Sequence, residues 1–181
     1  FWAELGFTTA ALDFSPGMLT AGREAAEARG LSIDFVLGDA ETPAFSPETF
    51  DVVSSRFVLF TLPNPGYALR RWVGLLKPGG ALVLIGHERT EAGEDSNVRR
   101  VRSSGWHADE QYQAALRQLP FTDHKASHLQ VVMEAAGLDE IHQVPMDHVV
   151  KAREAYLERA DAPGLRHARP YIIVGRKLGN R

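Results

Sequence analysis

Two aspartates, Asp13 and Asp39, lie where short apolar runs of strand length end. Asp13 closes a run that spans Phe7 to Phe14, and Asp39 follows the run Ile33 to Leu37. Open parallel sheets bind ligands at the carboxyl ends of their strands, so both carboxylates are expected at one edge. An ionised carboxylate there can accept hydrogen bonds from ribose hydroxyls. Alternatively, Asp13 is an ordinary acidic residue of a loop, and Asp39 is an aspartate that caps a turn.

Strands and helices alternate around these aspartates. Ser15-Pro16, a hydroxyl N-cap followed by proline, predicts a helix that Gly30 ends. Its expected apolar face consists of Met18, Leu19, Ala21, Ala25 and Ala26. Further strands are predicted at Phe50–Ser55 and Ala81–Ile85, with a helix from Asn64-Pro65 that Pro78-Gly79-Gly80 stops. This alternation predicts a parallel sheet with right-handed crossovers.

The second half of the chain has a weaker pattern. His87 to about Gly105 is polar and predicts a loop. Helices are predicted at Trp106–Leu119, Ser127–Ala136 and, with many charges, about Val149–Arg159; strands are predicted at Ile141–Val144 and Tyr171–Val174. We expect the two strands to form an antiparallel pair at one edge, and residues 1–181 to form a single domain. Within it, residues 1–88 would be the cofactor-binding part and 89–181 the lid and substrate-side part.

Composition narrows the classes of partner. The 181 residues carry a formal charge of −3, which gives no electrostatic reason to expect nucleic acid or an anionic membrane. The absence of cysteine excludes disulfides and thiolate metal sites and fits a cytoplasmic protein. His124 and His128 lie four residues apart, but without a third ligand nearby we expect no metal. No apolar run approaches the length that crosses a bilayer, and the expected partner is a small molecule.

Four motifs occur in one order: Leu12-Asp13-Phe14-Ser15, Gly38-Asp39-Ala40-Glu41, Phe50-Asp51-Val52-Val53 and the run Leu76-Lys77-Pro78-Gly79-Gly80-Ala81-Leu82-Val83-Leu84. Together they resemble the second half of the cofactor domain of class I S-adenosylmethionine-dependent methyltransferases, over roughly the first half of the chain. The resemblance implies a Rossmann-like, doubly wound, mostly parallel sheet with S-adenosylmethionine as cofactor. It also implies methyl transfer to a small-molecule acceptor.

The resemblance assigns roles to individual positions. Asp13, with Phe14 beside it, would hold the cofactor ribose, and Met18 would pack on adenine, a buried core role being the alternative. Asp39 would accept from the adenine amino group, and the Ala40 N–H would reach a ring nitrogen. Arg56 would meet the cofactor carboxylate or the substrate, although a solvated or structural arginine fits as well.

No catalytic residue is assigned. Phe57 lies beside Arg56 at the end of its strand, and four other residues are placed to line an acceptor pocket: His87, Glu88, Trp106 and His107. A surface or packing role is the alternative for each of the four. Asp51 is expected to be structural.

The family's first strand and glycine-rich turn have no counterpart before Asp13. That strand would lie between those ending at Asp13 and Ser55, so we expect an upstream segment with a strand and a Gly-x-Gly-type turn, and poor folding without it. A non-catalytic relic or binding module with this fold is the main alternative. A nicotinamide-dependent oxidoreductase is the weakest reading, because Gly38-Asp39-Ala40-Glu41 and Pro78-Gly79-Gly80 do not fit it.

Overall fold

The structure, a computed structural model, describes residues 1–88, 110–120, 125–152 and 169–179. The chain divides into two units, which we describe separately. Unit 1 comprises Phe1–Ser46 and unit 2 comprises Pro47–Arg181. Within the described ranges, no helix has the length and apolar character needed to cross a membrane.

Unit 1 is a strand–helix–strand motif. After a 3-10 turn at Ala3–Leu5, strand β1 (Thr9–Asp13) and strand β2 (Ile33–Leu37) pair in parallel, and helix α1 (Pro16–Glu27) connects them. Ser15 caps the helix as predicted, because its Oγ accepts a hydrogen bond of 3.4 Å from the Met18 N–H. Among the described residues, β1 pairs only with β2, and the upstream strand stays a prediction.

The buried face of α1 differs from the predicted one. Leu19 and Ala26 are buried, whereas Met18, Ala21 and Ala25 are exposed. A Cβ built on Gly22 would lie 2.7 Å from Cε1 of Phe35, so the helix approaches β2 most closely at this glycine. Because Leu19, Gly22 and Ala26 follow helical spacing, they define the packed face, and the predicted stripe was wrong at its other positions.

Unit 2 contains a four-stranded mixed sheet in the order β3-β4-β6-β5. Its strands are β3 (Phe50–Arg56), β4 (Leu76–Glu88), β5 (Leu138–Val144) and β6 (Arg169–Lys177). β3 and β4 are parallel, while β6 is antiparallel to both β4 and β5, which confirms the predicted antiparallel pair at the sheet edge. Within the described part, β3 pairs only with β4.

The helices of unit 2 are α2 (Pro65–Leu75), α3 (Glu110–Arg117) and α4 (Ala126–Ala135), with a 3-10 turn at Leu59–Thr61. Apolar residues of α2, α4 and one face of the sheet form the core: Ala68, Leu69, Trp72, Leu129, Met133, Leu82, Leu84, Tyr171 and Ile173. Along β4 these buried residues alternate with the half-exposed Val83, Ile85 and His87, so only one face of the strand is in the core.

The Pro78-Gly79-Gly80 run was predicted to end a helix, and this prediction is wrong, because the run lies inside β4. Helix α2 ends earlier, at Leu75, and the strand begins at once. Phe50 pairs with Leu76 and Val52 with Ala81, so the intervening residues of β4 form a bulge. Gly80 fits there because a Cβ would lie 2.9 Å from the Lys77 carbonyl oxygen and 3.1 Å from that of Asp51.

Other boundaries shift by a few residues. His87 and Glu88, predicted in a loop, are the last residues of β4. Residues 147–152 are helical, so this helix begins two residues before the predicted start of the charged helix at about Val149. The rest of the predicted loop and the rest of the predicted charged helix lie outside the described residues. Trp106, His107 and His124 also lie outside them. The division into a cofactor part and a lid part stays a prediction.

Candidate active site

The pairing of β1 with β2 places Asp13 and Asp39 at the same end of the unit 1 sheet. Asp13 is opposite Leu37, and the Gly38 N–H donates to the Asp13 carbonyl oxygen at 3.0 Å. Asp39 follows directly. The two carboxylates therefore lie at the carboxyl edge of neighbouring parallel strands, as the sequence predicts.

The Asp13 carboxylate is fixed by the start of helix α1. Its Oδ1 accepts a hydrogen bond of 2.8 Å from the Ser15 N–H, and the side chain is half-buried. Since the amino end of a helix carries partial positive charge, a carboxylate oxygen is a suitable hydrogen-bond acceptor there. The result is a negative charge held in one place at the edge of the sheet.

Asp39 has the same local geometry in a turn. Its Oδ1 accepts a hydrogen bond of 2.8 Å from the Glu41 N–H, and its carbonyl oxygen accepts one of 3.1 Å from the Thr42 N–H. Such turns are typical of aspartate, whose side chain bonds the backbone two residues ahead. Asp39 is exposed and Ala40, within the turn, is half-buried.

Large apolar side chains are exposed beside these carboxylates. Phe14 is 81% exposed, Met18 is 62% exposed and Leu37 is 61% exposed. The core interpretation of Met18 is therefore wrong for this unit. The sequence analysis did not include Leu37 among the candidate site residues. Its position directly before Gly38-Asp39 could have indicated an apolar side chain beside the carboxylate. Apolar surface next to fixed polar acceptors complements a nucleoside, whose base is flat and apolar and whose edges carry donors.

At the carboxyl end of β3 in unit 2, Arg56 is followed by Phe57, whose φ is +60°. The Phe57 N–H donates to the Ile85 carbonyl oxygen at 3.1 Å. Its ring packs edge-to-face on His87 with centroids 5.0 Å apart, and the Arg56 guanidinium lies 5.5 Å from its centroid. The expected contact of Arg56 with a cofactor or substrate stays a prediction.

Two other acidic residues of unit 2 have structural partners. Glu88 Oε1 accepts a hydrogen bond of 3.1 Å from the Ala126 N–H at the start of α4, so this carboxylate oxygen has a structural partner. Asp51 Oδ2 lies 2.8 Å from Lys77 Nζ, and the hydrogen bond from Lys77 holds the pKa of Asp51 below its ordinary value. Asp51 therefore has the structural role that the sequence predicts.

Comparison with known proteins agrees with these features. The model of the methyltransferase domain family matches residues 1–84. A demethylmenaquinone methyltransferase from Renibacterium salmoninarum is 40% identical over 83 residues, which cover 46% of this chain and 33% of that protein. The aklanonic acid methyltransferase DauC from a Streptomyces species is 38% identical over 72 residues, covering 39% of this chain and 33% of DauC. The chain thus spans about a third of the length of these two relatives.

Among solved structures, phosphoethanolamine N-methyltransferase 2 from Haemonchus contortus in complex with S-adenosyl-L-methionine has a similar fold. The TM-score is 0.66 at 15% identity, and the match covers 98% of this chain and 45% of that one. At this identity the likeness concerns the fold alone. The chain therefore has a Rossmann-like fold of the kind found in methyltransferases, and its residues 1–84 are similar to the methyltransferase domain family.

Proposed function

We propose that this chain binds S-adenosylmethionine at the carboxyl edge of β1 and β2 and transfers its methyl group to a small organic acceptor. The observation that carries the proposal is the pair of aspartates, each bonded at 2.8 Å to a backbone N–H and flanked by exposed apolar side chains. The family match over residues 1–84 supports the same cofactor.

Each residue of this edge has a role in the proposal. Asp13 accepts hydrogen bonds from the ribose hydroxyls, and Asp39 accepts from the amino group of adenine. Phe14 and Met18 contact the faces of the base, for which an exposed ring and a polarizable thioether are suited. The Ala40 N–H donates to a ring nitrogen. Arg56 is not part of this edge but ends β3 in unit 2, and its proposed partner is the carboxylate of the cofactor or the acceptor.

The chemistry asks little of the protein beyond orientation. Bound S-adenosylmethionine supplies a methyl group already activated by the sulfonium. The side chains at the sheet edge fix the cofactor so that an acceptor can approach in line, and holding two reactants in this way lowers the barrier substantially. A base is required only where the acceptor must lose a proton.

The relatives suggest the class of acceptor. The names of two of them specify demethylmenaquinone and aklanonic acid as substrates. We propose a hydroxylated aromatic small molecule for this chain too, with methylation in the cytoplasm. The small net charge of −3 gives no electrostatic reason to expect nucleic acid as the acceptor.

Isothermal titration of S-adenosylmethionine into the chain tests the proposal. Asp13→Asn and Asp39→Asn should each weaken binding by about ten- to a hundredfold, the effect of losing a hydrogen bond to a charged group. Asp34→Asn, at an exposed aspartate earlier in β2, is the matched control and should leave the affinity unchanged. No binding by the chain, or equal affinity in all three variants, would contradict the proposed function.

A further inference from the structure

The negative charge of the chain is concentrated in unit 1. Residues 1–46 contain seven acidic side chains and two arginines, which gives a formal charge of −5, against −3 for all 181 residues. The acidic residues are Glu4, Asp13, Glu24, Glu27, Asp34, Asp39 and Glu41. Since the structure describes every residue of unit 1, the positions of its two arginines decide where within the unit this charge is balanced.

Both arginines of unit 1 bind partners away from the carboxyl ends of its strands. Arg29 follows helix α1, and its Nη1 lies 2.7 Å from Glu4 Oε1. Arg23 lies within α1, and its Nη2 donates at 3.2 Å to the carbonyl oxygen of Phe35, in the middle of β2. The guanidinium carbon of Arg23 lies 5.4 Å from the centroid of the Phe35 ring. Neither arginine therefore pairs with a carboxylate at the carboxyl edge of β1 and β2.

The two carboxylates at that edge are held by backbone groups. Asp13 and Asp39 accept hydrogen bonds from the N–H groups of Ser15 and Glu41, each at 2.8 Å, and among the described residues neither carboxylate has an ion-pair partner. Backbone N–H groups carry partial charges, so they do not cancel the full formal charge of a carboxylate. Such uncompensated charge attracts a positively charged ligand over several ångströms, and added salt weakens the attraction.

S-adenosylmethionine and its product differ in charge at one atom. The sulfur of the cofactor carries a positive charge, and when the methyl group leaves, the electron pair of the broken bond stays on sulfur. S-adenosylhomocysteine therefore has the same adenine, ribose and amino acid groups but one positive charge fewer. Two elementary charges about 8 Å apart in water change an equilibrium constant roughly twofold. Hydrogen bonds to the nucleoside do not separate the two molecules, whereas the charge of unit 1 does.

We propose that Asp13 and Asp39 make unit 1 selective for the charged cofactor over its uncharged product, and that ionic strength sets this selectivity. The inference rests on the proposed function and adds a property that methyl transfer itself does not require. Attraction between the carboxylates and the sulfonium strengthens binding before the transfer and is lost once the methyl group has moved. Product is therefore exchanged for fresh cofactor most readily at low ionic strength.

Isothermal titration at 0.01 M and 1 M sodium chloride tests the proposal, because the screening length falls from about 30 Å to about 3 Å between them. We expect the Kd of S-adenosylmethionine to rise about three- to tenfold and that of S-adenosylhomocysteine to change less than about twofold. Sinefungin, in which a carbon bearing an ammonium group replaces the sulfonium, should follow the cofactor. Equal salt dependence of cofactor and product would overturn the proposal.

A charge series at Thr42 tests the electrostatic origin of the selectivity. Thr42 is exposed, and its backbone N–H donates to the Asp39 carbonyl oxygen at 3.1 Å. At 0.01 M salt, Thr42→Lys should bind S-adenosylmethionine about three- to fivefold more weakly than Thr42→Glu, with product affinities within about 1.5-fold. A product affinity that changes as much as the cofactor affinity between these two variants would contradict the proposal.

Glu27→Lys is the matched control for this series. It makes the same change of two charges at the last residue of α1, about 16 Å along the helix from Pro16. We expect the affinity for S-adenosylmethionine at 0.01 M salt to differ from that of the parent by less than about twofold. An effect as large as that of the Thr42 series would show that the selectivity does not depend on charge at the sheet edge.

The same titrations distinguish this inference from the proposed function. If cofactor and product both bind and the ratio of their Kd values does not change with salt, only the inference is refuted. If neither binds at either ionic strength, the proposed function is refuted, and the inference with it.

Discussion

Asp13 and Asp39 are each bonded through Oδ1 to the backbone N–H two residues ahead, at Ser15 and Glu41. This geometry connects the carboxylates to the local turns, so any substitution affects both the turn and the ligand contact. Asparagine retains an oxygen acceptor for the N–H but removes the charge. The two effects can therefore be measured separately.

Asp13→Asn should leave folding almost unchanged. We expect the free energy of unfolding to fall by less than about 1 kcal/mol, because the turn hydrogen bond to Ser15 remains, while Asp13→Ala should cost about 1–2 kcal/mol. Chemical denaturation monitored by circular dichroism measures both values. An asparagine variant as unstable as the alanine variant would show that charge, and not the turn bond, governs stability here.

The Asp51–Lys77 pair predicts a pH dependence. Because the hydrogen bond from Lys77 lowers the pKa of Asp51 in the folded chain, the pair stabilises the fold above the unfolded pKa of aspartate, about 3.9. The contribution is lost as the pH falls through the lower folded pKa. The parent should therefore have a slightly higher Tm than Asp51→Asn at pH 7, and the difference should disappear in acid. A Tm difference that does not shrink as the solution is acidified would contradict the assigned pair.

Among the secondary-structure elements, the strands could be predicted from the sequence more accurately than the segments that connect them. The predicted strand Ile33–Leu37 has the same first and last residues as β2, because a short apolar run between polar turns indicates a strand. The Pro78-Gly79-Gly80 run was read as a helix stop, yet it is a bulge within β4. Glycine and proline indicate a break, but only the pairing of Phe50 with Leu76 determines which element contains it.

The candidate site shows the same division. Both aspartates could be placed from the sequence, since each follows a strand in a parallel pattern. The strained φ of Phe57 and its contact with His87 could not, because a positive φ at phenylalanine depends on surrounding contacts and not on local propensity. The exposure of Met18 could not be predicted either. The close approach of Gly22 to Phe35 determines which face of α1 packs on β2.

Packing of β4 on β6 makes Gly86 a required glycine. A Cβ there would lie 2.7 Å from Cζ of Tyr171 and 3.0 Å from Cε2 of Phe60, two buried rings. Gly86→Ala should lower the free energy of unfolding by about 1–3 kcal/mol. Gly74→Ala, in helix α2 with no atom within 4 Å of the new Cβ, should raise it by up to about 1 kcal/mol. Thermal denaturation measures both, and equal effects would contradict the described packing.

At the scale of the whole molecule, the two units differ in how much apolar surface they bury. Among the described residues, the buried apolar core of unit 1 comprises Leu19 and Ala26, while all other members lie in unit 2. Buried apolar area is the main source of folding free energy. Unit 1 is thus the less stabilised part of the chain, although it holds the candidate nucleoside contacts.

Hydrogen exchange should show this difference. We expect amides of β1 and β2 to exchange faster than those of β4 and β6, because local opening is easiest where few apolar contacts are lost. Adding S-adenosylhomocysteine should slow exchange mainly in unit 1, since a ligand stabilises the state that binds it. Exchange at one common rate throughout both units, unaffected by the ligand, would contradict this expectation.

In the proposed function Asp13 and Asp39 hold the cofactor, and the two backbone amides bonded to them report directly on its binding. The measurement is a titration of S-adenosylhomocysteine followed by ¹H–¹⁵N correlation spectra of the chain. We predict that the Ser15 and Glu41 resonances shift together along one saturation curve, because their bonding partners Asp13 and Asp39 receive the ribose and adenine donors. If these two resonances stay in place while others move, or if none moves at millimolar ligand, the proposed site is wrong.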